Sequence, residues 1–184
     1  MSPYNILIVI FWLIFLVYWG YSAIGAKKTT HRRFAPRIIL VIIFIVGLNI
    51  PAVRYFFVAH NIASSNPFVE SFGVLLCALG IILAIFARVY IGKNWGMPMS
   101  EKEDAELVTT GPYAYVRHPI YSGAILAMFG SSLVAGTWWF AFFLFLSVYF
   151  IYSAGAEEKL LERQFPKQYP EYKKRTKMLV PFLF

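Results

Sequence analysis

The chain has 184 residues, of which 59% are hydrophobic and 14% charged, and its mean hydropathy is +0.63. Soluble domains carry about a quarter charged residues, so this composition excludes a water-covered globule and makes the bilayer the expected solvent of a single all-α integral membrane protein. The net charge of +8 would fit a nucleic-acid partner by size, but its placement along the chain excludes that reading, and one cysteine, Cys77, forms no internal disulfide and builds no metal site by itself.

Stretches free of Asp, Glu, Lys and Arg mark the spans in chain order. Crossing about 30 Å of hydrocarbon takes roughly 17–25 helical residues. Met1–Ala26 holds one span, near Tyr4–Ile24. Pro3 and Asn5 precede it and Lys27 and Lys28 follow it, the reverse of a signal peptide's charged start, so this span is expected to be retained. Ile38–Val53 and Ser71–Ala87 each hold one short span, extended by a turn past the bounding charges. Pro51 is expected to kink or end the second helix. Ile120–Ala156, with 37 residues, would be about 55 Å long as one helix, too long for one pass. It is expected to fold back at Ala135-Gly136-Thr137, the turn-permissive place near its middle. Five spans result.

An odd number of spans puts the termini on opposite sides. With the N-terminus outside, the inner segments 25–37, 88–118 and 156–184 carry sixteen of the seventeen Lys and Arg residues, leaving Arg54 outside. That is the bias of the positive-inside rule, and it did not enter the placing of the spans. The charge therefore reads as an orientation signal, with some attraction to anionic headgroups of membrane lipids. The expected layout is a two-helix scaffold over residues 1–67, then a membrane domain over 68–184 with a helical hairpin at 119–164 and an inner C-terminal tail.

Chemistry with a water-soluble partner belongs to the two long polar inner segments. In the first, Thr110-Gly111-Pro112-Tyr113 is a turn signal. His118 is pushed toward extended geometry by Pro119, which suits the first turn of a helix. The fourth span should start there, with its free backbone N–H groups and positive dipole end beside Arg117 and His118, a ready anion site. Local physics leaves open whether those residues hold an anion or anchor the helix to headgroups. In the second segment, the fifth helix should run from about Trp138 past the surface to Gln164, since Pro166 disfavours helix at Phe165. Glu158 and Glu162 share a face beside Lys159 and Arg163, and for Glu162 a solvated amphipathic face is the preferred reading. Glu157 and Glu158 sit near the membrane edge on the helix hairpinned to the one that begins at Pro119. An anion-friendly helix start beside a cation-friendly helix end suits an amino-acid zwitterion, such as the methionine part of S-adenosylmethionine.

The run Gly111-Pro112-Tyr113-Ala114-Tyr115-Val116-Arg117-His118-Pro119-Ile120-Tyr121-Ser122-Gly123, followed by Glu157-Glu158-Lys159-Leu160-Leu161, Phe165, Tyr169, Tyr172 and Val180-Pro181, resembles the isoprenylcysteine carboxyl methyltransferase family, whose relatives include phospholipid N-methyltransferases. The resemblance covers roughly residues 86–184. Pro166 stands where the family's glycine is expected after Phe165. The resemblance implies S-adenosylmethionine held at the cytosolic face by the C-terminal half, without a Rossmann fold, and the chain has no Gly-x-Gly-x-x-Gly loop. It implies that Gly111, Pro112, Tyr113, Arg117, His118, Pro119 and Tyr121 line the cofactor pocket and that Glu157 or Glu158 holds its polar groups, with Glu158 also counted among the catalytic residues. Tyr121 also fits interfacial aromatic packing. Arg88, at the inner end of the third span, is the candidate catalytic, substrate-orienting cation, and snorkelling to headgroups is its alternative. Trp95 either covers the site or rests at the interface.

The expected activity is methyl transfer to a lipid-like or prenylated substrate. A carboxylate acceptor is already ionised at neutral pH and needs no base, whereas an amine needs a proton acceptor such as Glu157, Glu158 or His118. The alternatives are an NADPH-dependent sterol or isoprenoid reductase, similar in its C-terminal region, and a non-catalytic scaffold or resistance factor. A prokaryotic plasma membrane is the expected location, with the endoplasmic reticulum compatible.

Overall fold

The computed structural model describes residues 2–24, 29–31, 46, 50–59, 66–95, 101–102 and 106–183. Helix α1 spans Pro3–Ala23, with Pro3 in its first turn and the Ser2 hydroxyl accepting from the Asn5 N–H at 3.3 Å, the capping that an otherwise uncharged helix needs at its start. Most of the predicted second span lies outside the described residues. Pro51 opens the short helix α2, Pro51–Ala59, with Ile50 in a bend before it. Helix α3, Pro67–Ile91, repeats the Asn-Pro start, Asn66 Oδ1 accepting from Phe68 N at 2.9 Å. It ends at Gly92, whose φ of 54° stops the helix. Helix α4 runs Pro119–Ala135 and helix α5 Thr137–Gln164, joined by Gly136 at φ 86°. A last short helix, α6, covers Gln168–Arg175. Among the described residues, α1, α3 and α5 are long and apolar enough to cross a membrane, and α4 is a shorter apolar helix. The hairpin and its turn lie where the sequence puts them.

The core is a seam between α3 and α4. A Cβ on Gly80 would overlap the Ala127 backbone nitrogen and lie 2.5 Å from the Gly123 carbonyl oxygen. One on Gly73 would lie 2.7 Å from the Gly130 carbonyl oxygen. The helices are therefore antiparallel and in backbone contact, each presenting two glycines seven residues apart. Cys77 and Ala84, with no exposed surface, fill the α3 side between and beyond them. Small residues at such spacing are how membrane helices approach closely when lipid is as apolar as leucine.

Helix α1 packs on this seam through Ile8, which clusters with Cys77, Ile81, Ala127 and Val134. The Trp12 indole donates to Ser131 Oγ at 2.9 Å, and Ser131 in turn donates to the Ala127 carbonyl at 2.8 Å. An aromatic row, Trp139, Trp12, Phe15, Trp19 and Trp95, runs along α1 with neighbouring ring centroids 4.8–5.9 Å apart. The opposite face of α1, including Leu13, Val17 and Tyr21, is exposed, as a lipid-facing surface should be.

Three contacts fix which helix ends lie together. Arg88, near the end of α3, donates through Nη2 to the Ser22 carbonyl near the end of α1. The segments that follow those two helices also meet, as strand β1 (Thr29–His31) pairs antiparallel with strand β2 (Glu101–Lys102). Arg117, just before α4, reaches Glu158 near the end of α5. The ends of α1, α3 and α5 and the start of α4 thus share one mouth of the bundle.

Candidate active site

Residues 110–123 enter the mouth as a tight turn followed by the start of α4. Gly111, at φ 59°, opens a 3-10 turn over Gly111–Ala114, and a Cβ there would drive into the Tyr90 ring. Tyr90 hydrogen-bonds Thr110 Oγ1 at 2.8 Å on the same side. Pro112 and Tyr113 are buried. The Tyr113 hydroxyl donates to the Ala87 carbonyl at 3.3 Å, and the Tyr113 carbonyl accepts from Tyr172 at 2.6 Å. Burial pushes the Tyr113 phenol well above its usual range, and the nearby Glu157 carboxylate adds to the shift. Tyr113 is a neutral hydrogen-bonding group. Burial raises Tyr169 and Tyr172 likewise.

The two glutamates divide into different roles. Glu158 is buried, its Oε1 2.7 Å from Arg117 Nε and its Oε2 3.0 Å from Lys173 Nζ. Lys173 also reaches Glu162 at 3.0 Å, and its two carboxylate partners hold its pKa above the ordinary value. Arg117 is committed too, donating through Nη1 to the Thr176 and Lys173 carbonyls. Glu157 keeps 28% of its side chain exposed and accepts one hydrogen bond, from the Tyr121 hydroxyl at 2.9 Å on Oε2. Its second oxygen has no partner among the described residues.

His118 lies between the two glutamates. Its Nδ1 is 3.8 Å from Glu157 and its Nε2 is 3.5 Å from Glu158, and Nε2, though buried, makes no hydrogen bond among the described residues. The ring stacks on Tyr121 (centroids 5.4 Å apart, 3° between planes), which stacks on Phe150 at 4.9 Å. Pro119 is fully buried in the first turn of α4, and no side chain caps that end.

Thus Tyr113, Arg117, His118, Pro119, Tyr121, Glu157 and Glu158 are brought to one mouth, with Gly111 and Pro112 framing the turn beside it. Arg88 is engaged separately. It donates to the Gly92 carbonyl at 2.8 Å and to Ser22, and its guanidinium lies 4.5 Å above the Trp95 ring. Only 4% of it is exposed, and these partners hold it inside the bundle.

The profile of the phospholipid methyltransferase family matches residues 69–168, more than half of the chain. The chain belongs to that family. The match runs from α3 through both glutamates and into the turn before α6. Four proteins resemble the chain. A nickel-cobalt-cadmium resistance protein, NccN, of Alcaligenes xylosoxydans xylosoxydans is 32% identical over 57% of this chain and 48% of its own. Protein-S-isoprenylcysteine O-methyltransferase B of Arabidopsis thaliana is 30% identical over 62% of this chain and 60% of its own. Methanethiol S-methyltransferase of Crocosphaera subtropica is 27% identical over 92% of this chain and 57% of its own. The solved structure of the eukaryotic intramembrane Ras methyltransferase, isoprenylcysteine carboxyl methyltransferase, superposes with a TM-score of 0.61 at 22% identity, over 99% of this chain and 69% of that one. The chain spans about half to three-fifths of the length of the curated relatives it matches. It is a multi-pass membrane protein with the fold of that structure.

Sequence reasoning alone missed how this family member closes its mouth. The segment after α6 runs beside residues 115–118, with Arg117 N donating to the Lys177 carbonyl at 2.8 Å and His118 N to Met178 at 3.1 Å. Ser122 Oγ donates to the Leu179 carbonyl at 2.6 Å. The first two are backbone pairings between segments some 60 residues apart, and no side-chain pattern announces them. Lys173 was hidden as one of four basic residues between positions 173 and 177.

Proposed function

We propose that this chain is an S-adenosylmethionine-dependent methyltransferase acting on a lipid-like or prenylated substrate at the cytosolic face. In this reading it has five spans, N-terminus out and C-terminus in, with residues 1–67 as scaffold and 68–184 carrying the site. A prokaryotic plasma membrane is the proposed location. The observation that carries the reading is Glu157, with one oxygen fixed by Tyr121 and the other without a hydrogen bond among the described residues, beside a His118 whose far nitrogen, Nε2, 3.5 Å from Glu158, likewise makes none there. Buried polar atoms are ordinarily bonded, so the unfilled His118 Nε2 beside a partly exposed carboxylate fits a polar ligand. A half-open carboxylate suits an ammonium or ribose hydroxyls. The residues present therefore fit S-adenosylmethionine, and Gly111, Pro112 and Pro119 would shape the wall beside it. The sixteen inward-assigned basic residues support placing this mouth in the cytosol.

When bound, S-adenosylmethionine supplies an electrophilic methyl group whose C–S electron pair returns to sulfur as the acceptor bond forms. The chain's own work is positioning and exclusion of water. Tyr121 orients Glu157. Arg117 and Lys173 neutralise Glu158, so that Glu157 is the carboxylate left to hold cofactor and Glu158 fixes the frame around it. For an acceptor that must lose a proton, His118 is the group with an unfilled nitrogen.

Thermal shifts of the purified chain with S-adenosylmethionine, S-adenosylhomocysteine and NADPH test the proposal. A ligand at a hundredfold excess over its dissociation constant adds about 2.7 kcal/mol of apparent stability. Stabilisation by the two sulfur nucleotides is expected. Stabilisation by NADPH alone would convert the reading to a reductase, and none by any ligand would leave a scaffold.

A further inference from the structure

The mouth does not use all the cations of the segment that closes it. Lys173 is committed to Glu158 and Glu162, and Lys174 shares an exposed pair with Glu171. Arg175 and Lys177 are exposed and form no ion pair among the described residues. No acidic residue follows Glu171. Just past these cations the chain turns toward hydrocarbon. Leu179 is buried against Tyr121 of α4 and Ala154 of α5, and Ile125 and Phe150 pack on the same cluster. Ala154 lies one turn before Glu158, on the apolar side, so at Leu179 the segment has already passed the polar mouth.

Beyond Leu179 the side chains point away from the protein. Val180 is exposed, and Phe182 and Leu183 keep 84% and 80% of their surface open. Phe182 is, among the described residues, the non-glycine position with a positive φ, 67°, a conformation disfavoured for an L residue. The chain thus holds a phenyl ring outward in a strained turn. Tyr115, also exposed, stands beside Lys177, whose backbone N–H donates to the Tyr115 carbonyl at 3.5 Å. Tyrosine with basic neighbours favours the headgroup level of a bilayer.

Cations in water directly above outward apolar side chains match the two halves of a phospholipid. The occupant follows from that pairing. A soluble anion would meet the cations and leave Phe182 and Leu183 bare. A zwitterionic headgroup brings its own ammonium, which competes with Arg175 and Lys177 for the phosphate. An anionic headgroup does not. We propose that residues 174–183 are a docking site for one anionic phospholipid of the leaflet that the mouth faces, with Arg175 and Lys177 on its phosphate and Val180, Phe182 and Leu183 along its acyl chains. Lipid bound there also steadies the mouth, because the same strip holds it. The Lys177 and Met178 carbonyls accept from the Arg117 and His118 N–H groups, and the Leu179 carbonyl accepts from Ser122. This effect does not depend on which reaction the mouth performs.

The test titrates the full chain in detergent with phosphatidylglycerol, with phosphatidylcholine of the same acyl chains, with water-soluble glycerophosphoglycerol and with inorganic phosphate. Bound molecules are counted by native mass spectrometry. Wild type is expected to bind one phosphatidylglycerol in preference to the other three. Each basic residue near an anionic lipid contributes about fivefold in affinity, so Arg175→Gln with Lys177→Gln should weaken phosphatidylglycerol about thirtyfold. Lys159→Gln with Lys167→Gln removes the same charge from other exposed positions and should bind as wild type does. Phe182→Ser should weaken phosphatidylglycerol about tenfold, as loss of one apolar side chain from a lipid contact predicts. Hydrogen exchange at Arg117 and His118 should slow when phosphatidylglycerol is bound, and much less in the Arg175/Lys177 variant. Equal affinity for the two lipids, or equal loss in both double variants, would overturn the proposal in favour of general charge attraction. Competition by glycerophosphoglycerol or phosphate as effective as that of the lipid would give the cations to a soluble anion. A lipid-free dimer abolished by Phe182→Ser would give the apolar patch to a second copy. Unchanged exchange at Arg117 and His118 on lipid binding would overturn the link to the mouth. No arm uses S-adenosylmethionine, so none of these failures is a failure of the methyltransferase reading.

Discussion

The α3–α4 seam and the polar mouth sit on the same two-helix frame and are held by opposite means. The seam is closed by the absence of side chains: Gly73, Gly80, Gly123 and Gly130 let backbones touch, and there is no room left at any of them. The mouth is held by long charged side chains, Arg117, Glu158 and Lys173, and among the described residues leaves His118 Nε2 and one oxygen of the partly exposed Glu157 without a hydrogen bond. One region is saturated in volume and the other is unsaturated in hydrogen bonds. In a bilayer the first arrangement supplies stability through packing, and the second keeps unfilled polar positions where the proposed function places a ligand. The contrast predicts that damage to the seam destroys the fold, whereas damage to the open positions of the mouth destroys binding alone.

The largest effect should come from Gly80→Val. Overpacking a filled core costs about 1–3 kcal/mol when side chains can shift. Here the new atoms meet backbone of Ala127 and Gly123, so the helices themselves must separate and the loss should exceed that range. Size exclusion in detergent should show aggregation or no recoverable monodisperse protein. Gly20→Val has open space around its new atoms and should behave as wild type. Equal behaviour of the two variants would remove the seam as the source of stability.

Arg117→Ala comes next. Removing one partner of a buried ion pair costs about 3–5 kcal/mol, and the low end applies because Lys173 and His118 still face Glu158. A melting temperature lowered on that scale is expected. Adding Glu158→Gln should recover part of the loss, because the stranded charge goes with it. Strict additivity in that double-mutant cycle would mean that the two residues do not act as a pair. Glu157→Gln should leave stability within about 0.5 kcal/mol, because the amide keeps the shape of the side chain and its oxygen still accepts from Tyr121. It should weaken S-adenosylhomocysteine binding at least about tenfold. A melting-temperature loss as large as that of Arg117→Ala, with unchanged ligand affinity, would reverse the division between the two glutamates.

How much of this is legible in the sequence follows from the kind of interaction. Charge-free runs reveal α1, α3 and the 119–164 hairpin because hydrocarbon tolerates little else, and Gly136 marks the hairpin turn because the chain there needs a positive φ. Pro119 and Pro166 bracket helix ends for steric reasons that are local. The meeting of residues 117–121 with Glu157 and Glu158 is legible too, since a short turn forces neighbouring antiparallel helices. The division of labour between those glutamates is not. They are adjacent in sequence, and Lys173, some 15 residues away, combines with Arg117 to occupy Glu158. The Gly73/Gly80 and Gly123/Gly130 spacings stood in the sequence, but each pair has meaning only against the other. Arg88 shows the reverse. Its position at a helix end allowed snorkelling, yet Trp95 and the Ser22 carbonyl draw it inward.

The smallest effect concerns how the mouth keeps its shape. Ser122 Oγ donates to the Leu179 carbonyl at 2.6 Å and lies 3.1 Å from the His118 carbonyl, fastening the final segment to the first turn of α4. Ser122→Ala removes that fastener but leaves the two backbone bonds from Arg117 and His118 to Lys177 and Met178. A single neutral hydrogen bond is worth about 1 kcal/mol, so the melting temperature should fall slightly. Hydrogen exchange at residues 177–179 should quicken, while ligand affinity holds. The segment carries no residue of the open positions; it lines up the backbone that presents His118. If Ser122→Ala instead lowers S-adenosylhomocysteine affinity as much as Glu157→Gln does, then the precision of the mouth depends on that one side chain, and the backbone pairing with residues 177–178 is too weak to hold His118 by itself.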